Sequence, residues 1–130
     1  MSVIQLVASR RKKKLVKKME RHSSEKNIFF WWLGQAGFAF KYLDSLFLID
    51  PYLSDYLAQK YQNAELKHRR MSPVPISPEE IPTCRWYFCT HGHTDHMDPV
   101  TIAKIRQNCQ PIFIIPKAEI STGKQRGMLT

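Results

Sequence analysis

Between Asn27 and Asp50 the chain sets down three apolar runs, NIFFWWLG, FAFKYL and LFLID, separated only by a GQAG turn and an Asp44-Ser45 link. Runs this short cannot bury themselves as helices, and links this short cannot carry a crossover. The economical solution is three strands in an antiparallel meander, with LFLID, almost wholly apolar, the most deeply placed. Pro51 ends that strand. A short helix is expected over SDYLAQKYQ (54–62), with Ser54 as its N-cap. The stretch MSPVPISPEEIP holds four prolines and reads as a loop, ordered over the body or flexible.

The second half of the chain changes pattern. RWYFCT (85–90) reads as a fourth strand and runs directly into THGHTDHMDP, which holds three of the five histidines within six residues. DPVTIAKIRQNC follows, with Asp98 as N-cap and Pro99 at the first helical position, a strong helix start. PIFII (111–115) reads as a fifth strand buried on both faces. PKAEIS opens a further candidate helix that TGKQRGMLT supports only weakly. A strand, a histidine-rich loop, a helix and a strand in succession place the loop at a strand's carboxyl end, where α/β layers collect their ligands. The fold class is therefore α/β.

The loop has the chemistry of a metal site. His91 and His93 are separated by one residue, so in extended backbone both imidazoles project to the same side. Asp95 and His96 are expected to diverge from that pair toward a second ion, and Gly92 to let the backbone turn sharply. Imidazole and carboxylate together suit Zn²⁺, Mn²⁺ or Fe²⁺. The rival reading, a polar surface loop, fits poorly between a buried strand and a capped helix.

Charge narrows the partners. The 130-residue chain carries a net +9, but residues 1–27 hold nine Lys or Arg against two Glu, leaving the body close to neutral. Two segments are expected: a basic arm, 1–27, and a folded unit, 28–130. The arm lacks interleaved aromatics, so it reads as a solvated, partly helical extension rather than a nucleic-acid surface. Leu15 and Met19 are its one obvious apolar pair. Its apolar stretch precedes the basic run, unlike a secretory signal, and no run reaches transmembrane length. Cys84, Cys89 and Cys109 are odd in number and form no C-x-x-C pair, which favours buried thiols and a cytoplasmic location over a disulfide framework.

The motif H-x-H-x-D-H after an apolar strand resembles the metallo-β-lactamase fold hydrolases. WWLGQAGFAFKY, LFLIDPYLSD, HRRMSPVPISPEEI and CTHGHTDHMDP are similar in order to the branch of ascorbate-6-phosphate lactonase-like enzymes, over about 28–117. The N-acyl phosphatidylethanolamine phospholipases neighbour that branch, with a comparable W-L-G strand and I-D-P turn. The resemblance implies an αββα sandwich, here incomplete, that holds two divalent metal ions, Zn or Mn. It implies that His91 and His93 bind one ion and that Asp95 and His96 serve the other. Asp95 would also act as the catalytic residue, taking a proton from the attacking water. Asp50 would brace the loop by hydrogen bonding. A carboxylate after four apolar residues is costly unless paired, although an exposed turn acid before Pro51 is the alternative.

Two metals would generate hydroxide near neutral pH and polarise an ester, lactone or phosphoester. The implied substrate is a small anionic or ester/lactone compound. The resemblance also implies later ligands, a third histidine, a bridging aspartate and a final histidine, that have no counterpart after His96. Only Asp98 and Glu119 follow as acids. The expectation is an N-terminal half, a fragment or short isoform, weakly active or inactive and prone to associate through exposed sheet. His68 and Arg70 are possible anion contacts but read equally as loop charges. The alternatives are a non-catalytic binding module that keeps half the fold, or a phospholipase or nuclease of the same fold.

Overall fold

The computed structural model describes residues 12–128, so the opening of the basic arm and its comparison with a secretory signal lie outside the described residues. A single five-stranded sheet organises the chain: β1 (Phe29–Gly34), β2 (Gly37–Tyr42), β3 (Ser45–Ile49), β4 (Trp86–Phe88) and β5 (Ile112–Ile114), in that spatial order. The first three form the expected antiparallel meander, and β4 and β5 add in parallel. The helices are α1 (Lys12–Arg21), α2 (Tyr56–Lys60), α3 (Pro99–Asn108) and α4 (Ile120–Gln125). This mixed α/β architecture agrees with an incomplete α/β sandwich. No helix among the described residues is long and apolar enough to cross a membrane.

The strand register sorts the side chains into two faces. Trp31, Ala39, Leu48, Tyr87 and Phe113 form one row across all five strands. The first four of these are buried, and they join Ile102 and Ile105 of α3 and Leu15 and Met19 of α1 in the core. The basic arm thus contributes more than a solvated extension. Its apolar pair, four residues apart, forms one helical edge that is 3% and 1% exposed, while Lys14 and Lys17 face water. Lys41, buried on the same sheet face, donates from Nζ to the carbonyls of Met19 (2.7 Å) and Glu20 (3.0 Å), satisfying the open end of α1. Replacing Lys41 with methionine keeps the aliphatic stem but leaves those carbonyls without their donor. We expect a loss of about 1–2 kcal/mol in urea unfolding, with faster amide exchange confined to α1.

The proline-rich segment is ordered. Ile76, Pro78 and Ile81 are buried, and Ser77 donates its backbone N–H to Glu80 Oε2 at 3.2 Å across a 3-10 turn at Pro78–Glu80. Three expectations differ in detail. The short helix begins at Tyr56, with Asp55 in the cap position; the Ser54 hydroxyl donates to Asp98 Oδ2 at 2.6 Å while its oxygen accepts from the Tyr56 N–H at 3.2 Å. The last helix lies further along than PKAEIS suggests: Lys117–Glu119 is a 3-10 turn and the α-helix runs over Ile120–Gln125. The fifth strand is not buried on both faces. It is an edge among the described residues, and Ile112 and Ile114 remain 51% and 39% exposed on the side that none of the described helices covers.

All three cysteines are free and buried, as small hydrophobes would be. Cys84 and Cys109 bring their sulfurs to 3.6 Å.

Candidate metal centre

The histidine loop leaves β4 beside the end of β3, at the carboxyl ends of two parallel strands. Asp50 holds the two together. Its backbone N–H extends the parallel pairing by donating to the Phe88 carbonyl at 3.0 Å, and its φ of +45° turns the carboxylate toward the loop. The side chain is buried. It accepts from the Thr90 backbone N–H (2.8 Å), the Thr90 hydroxyl (2.6 Å) and Nδ1 of His96 (2.8 Å). The exposed-turn alternative for Asp50 therefore fails, because the loop folds back over the carboxylate.

These bonds fix the imidazoles. A hydroxyl has one proton, and Thr90 gives it to Asp50; its oxygen is then the acceptor for Nδ1–H of His91 at 3.0 Å. His96 likewise spends its Nδ1–H on Asp50. Both rings consequently present Nε2 outward, the tautomer that a metal ligand needs. The His91 ring lies 4.6 Å from that of His93 and 3.9 Å from that of His96, centre to centre. His96 Nε2 faces Asp95 Oδ2 at 3.8 Å.

The three histidines therefore meet in one cluster, with Asp95 joined to it through His96, and with one difference from expectation. His96 does not diverge from the first pair, because its bond to Asp50 holds its ring against that of His91. Among the described residues, no three His, Cys, Asp or Glu donors are set around a common point as in a formed centre. The donor chemistry still fits a divalent cation: imidazoles with free Nε2 atoms, a half-buried carboxylate, and a carboxylate behind one histidine. Cys89 stands two residues before His91 but turns into the core. Burial, and then the nearby Asp50, push its thiol up, so it stays protonated and apart from the donors.

Several contributors escape sequence reading. In sequence Thr90 reads only as the end of a strand. Arg126 arrives from beyond α4 to donate to the carbonyls of Met97 (2.6 Å) and His93 (3.4 Å), clamping the loop. Glu119 rests its carboxylate against Gly92. Gly92 itself does not adopt the left-handed backbone that a sharp turn would require. Its missing Cβ makes room for Glu119, and the obstacle is the end of a flexible side chain. Gly92→Ala is therefore expected to cost less than about 1 kcal/mol in thermal unfolding.

The possible anion contacts do not join the cluster. Arg70 is a structural pin: Nε donates to the Ser72 carbonyl at 3.0 Å, Nη1 to the Tyr52 carbonyl, and the guanidinium lies 4.8 Å over the Tyr52 ring. It borders an open cleft of about 700 Å³ with Ser54, Ser72 and Lys104, which the histidine loop does not line. His68 is exposed near Tyr61.

Comparison with known proteins adds one relative. Over 98 residues, 75% of this chain, the sequence is 29% identical to an N-acyl-phosphatidylethanolamine-hydrolyzing phospholipase D, mitochondrial, from Saccharomyces cerevisiae. The chain matches only 20% of that protein's length. No protein-family profile matches. The similarity supports the metallo-β-lactamase fold at large, and it does not single out the lactonase-like branch.

Proposed function

We propose that this chain carries the first metal-binding loop of a hydrolase that uses divalent cations to cleave an ester, lactone or phosphoester. His91, His93, Asp95 and His96 would hold the ions, Zn²⁺ or Mn²⁺. The observation that carries this reading is the chain of bonds from Asp50 through Thr90 to His91 and directly to His96. A buried carboxylate that sets two imidazoles in one tautomer has little purpose in a plain surface loop.

The bound cations would supply a water acidified toward neutral pH and a positive charge for the oxygen under attack. The chain's own residues do the rest. Asp95, half-buried and beside His96, takes the proton as water adds. Asp50 keeps the His96 ring oriented, and Arg126 keeps the loop from opening. The phospholipase similarity supports a hydrolase without choosing among these substrates, and the lactone reading rests on the motif resemblance alone.

With one loop of donors, binding is expected to be weaker than in three- or four-ligand protein sites, and turnover slow or absent. The test is an assay of the 130-residue chain with Zn²⁺ or Mn²⁺ against lactones, carboxylic esters and phosphodiesters, including an N-acyl phosphatidylethanolamine. Any turnover above metal in buffer should vanish in His93→Ala and fall sharply in Asp95→Asn. Turnover that survives unchanged in both variants contradicts the assignment.

A further inference from the structure

The sheet has a second face that none of the described helices covers. The strand register aligns Phe30, Phe40, Phe47, Trp86 and Ile112 in one row, and Trp32, Phe38, Ile49, Phe88 and Ile114 in the next. Each row crosses all five strands. Every one of the ten side chains is apolar, seven are aromatic, and none is buried. None belongs to the core cluster or packs against it. Phe30 instead packs sideways on Phe38 and Phe40, with ring centres 4.9 and 4.7 Å away. A continuous apolar surface of this kind is far larger than scattered exposed residues explain.

We propose that this face is a two-fold interface between two copies of the chain, stacked sheet on sheet with helices outside. Three features favour a second copy. First, the surface is self-complementary: it is apolar from edge to edge, so an identical partner meets no buried charge. Second, its size is right. Five strands span about 24 Å, and ten large, half-exposed side chains offer roughly 700 Å² per copy, against about 800 Å² in a standard interface. Third, the positive charge of α1 lies on the opposite face, where Leu15 and Met19 dock. With sheets and helices each stacked about 10 Å apart, the two α1 helices stand roughly 30 Å from one another, beyond the screening length at physiological salt. Like charge therefore does not oppose the pairing. Association through this face needs no metal and no catalysis.

Sedimentation velocity and native mass spectrometry of the intact chain, from about 1 to about 100 μM, the upper range for interfaces of this size, test the proposal. A closed dimer of twice the 15.3 kDa chain mass is expected. Trp32, 51% exposed, should shift the tryptophan emission to the blue as dimer forms. The double variant Trp32→Glu/Ile112→Glu, altered at both edges of the face, should weaken association about 30-fold or more with far-UV circular dichroism unchanged. A monomer throughout this range overturns the proposal, as does open-ended aggregation without a dimer plateau. Vesicles of phosphatidylcholine and phosphatidylglycerol that capture a monomer would assign the face to lipid instead. Should the double variant misfold, the wild-type emission decides: a blue shift in step with mass supports the dimer, and an unchanging spectrum contradicts it.

Discussion

Asp50→Ala is expected to lower stability by about 4 kcal/mol, a large share of what a domain of this size possesses. Three hydrogen bonds end on that buried carboxylate, from the Thr90 N–H, the Thr90 hydroxyl and His96 Nδ1. Removing the acceptor takes away the charged partner of the Thr90 N–H, the Thr90 hydroxyl and His96 at one stroke, and leaves a void where the buried carboxylate stood. Alanine also inherits a φ of +45°, which a side chain without a local hydrogen bond tolerates poorly, by about 1 kcal/mol. Thermal unfolding should fall by roughly 10–15 °C. Asp50→Asn separates the contributions. It tolerates the backbone and accepts from Thr90, but its amide cannot accept every bond the carboxylate does. His96 should then lose its single tautomer, visible in the ¹⁵N shifts of its ring. An Asp50→Ala protein that unfolds like the wild type would show that the loop is not anchored as described.

Asp98→Ala should cost about 3 kcal/mol. Asp98 is completely buried and ties three elements together. It accepts from the backbone N–H groups of Val100 (3.2 Å) and Thr101 (3.3 Å), capping α3. It also accepts from the hydroxyls of Ser54 (2.6 Å) and Thr101, and that Thr101 hydroxyl in turn accepts from the Leu53 N–H at 3.0 Å. An ordinary N-cap deletion costs about 1 kcal/mol, and the surplus comes from buried hydroxyls left without an acceptor. The midpoint of urea unfolding should drop, and amide exchange should rise first at the start of α3 and the lead-in to α2. Because Asp98 closes the histidine loop, its loss should also weaken the proposed metal binding. A penalty near 1 kcal/mol would mean that the cap acts alone.

The parts of the fold that sequence reveals are those governed by local pattern. Apolar runs with two-residue links can only be a meander, and Asp98-Pro99 before an apolar stripe can only open a helix. The candidate ligands could be proposed from sequence because four donors share one short segment. What stayed hidden depends on distant partners. Nothing local says that Arg126 clamps a loop about thirty residues earlier, that Lys41 completes α1, or that the Ser54 hydroxyl reaches Asp98. Strand alternation cannot be read in LFLID or PIFII, where every residue is apolar. The division into a covered and an uncovered face emerges only from register, which is why Ile112 and Ile114 read as buried. The divergence expected of His96 fails for a similar reason: its partner Asp50 stands at the end of a strand 46 residues earlier.

The central claim is that the histidine loop is a divalent-cation site with Asp50 behind it. Titrating the purified chain with Co²⁺ and following the visible ligand-field absorption tests it directly. The account predicts saturable bands that Zn²⁺ displaces, that His93→Ala abolishes, and that Asp50→Asn weakens about 10-fold or more while the protein stays folded. A wild-type spectrum indistinguishable from Co²⁺ in buffer, or bands of equal strength in His93→Ala, would contradict it.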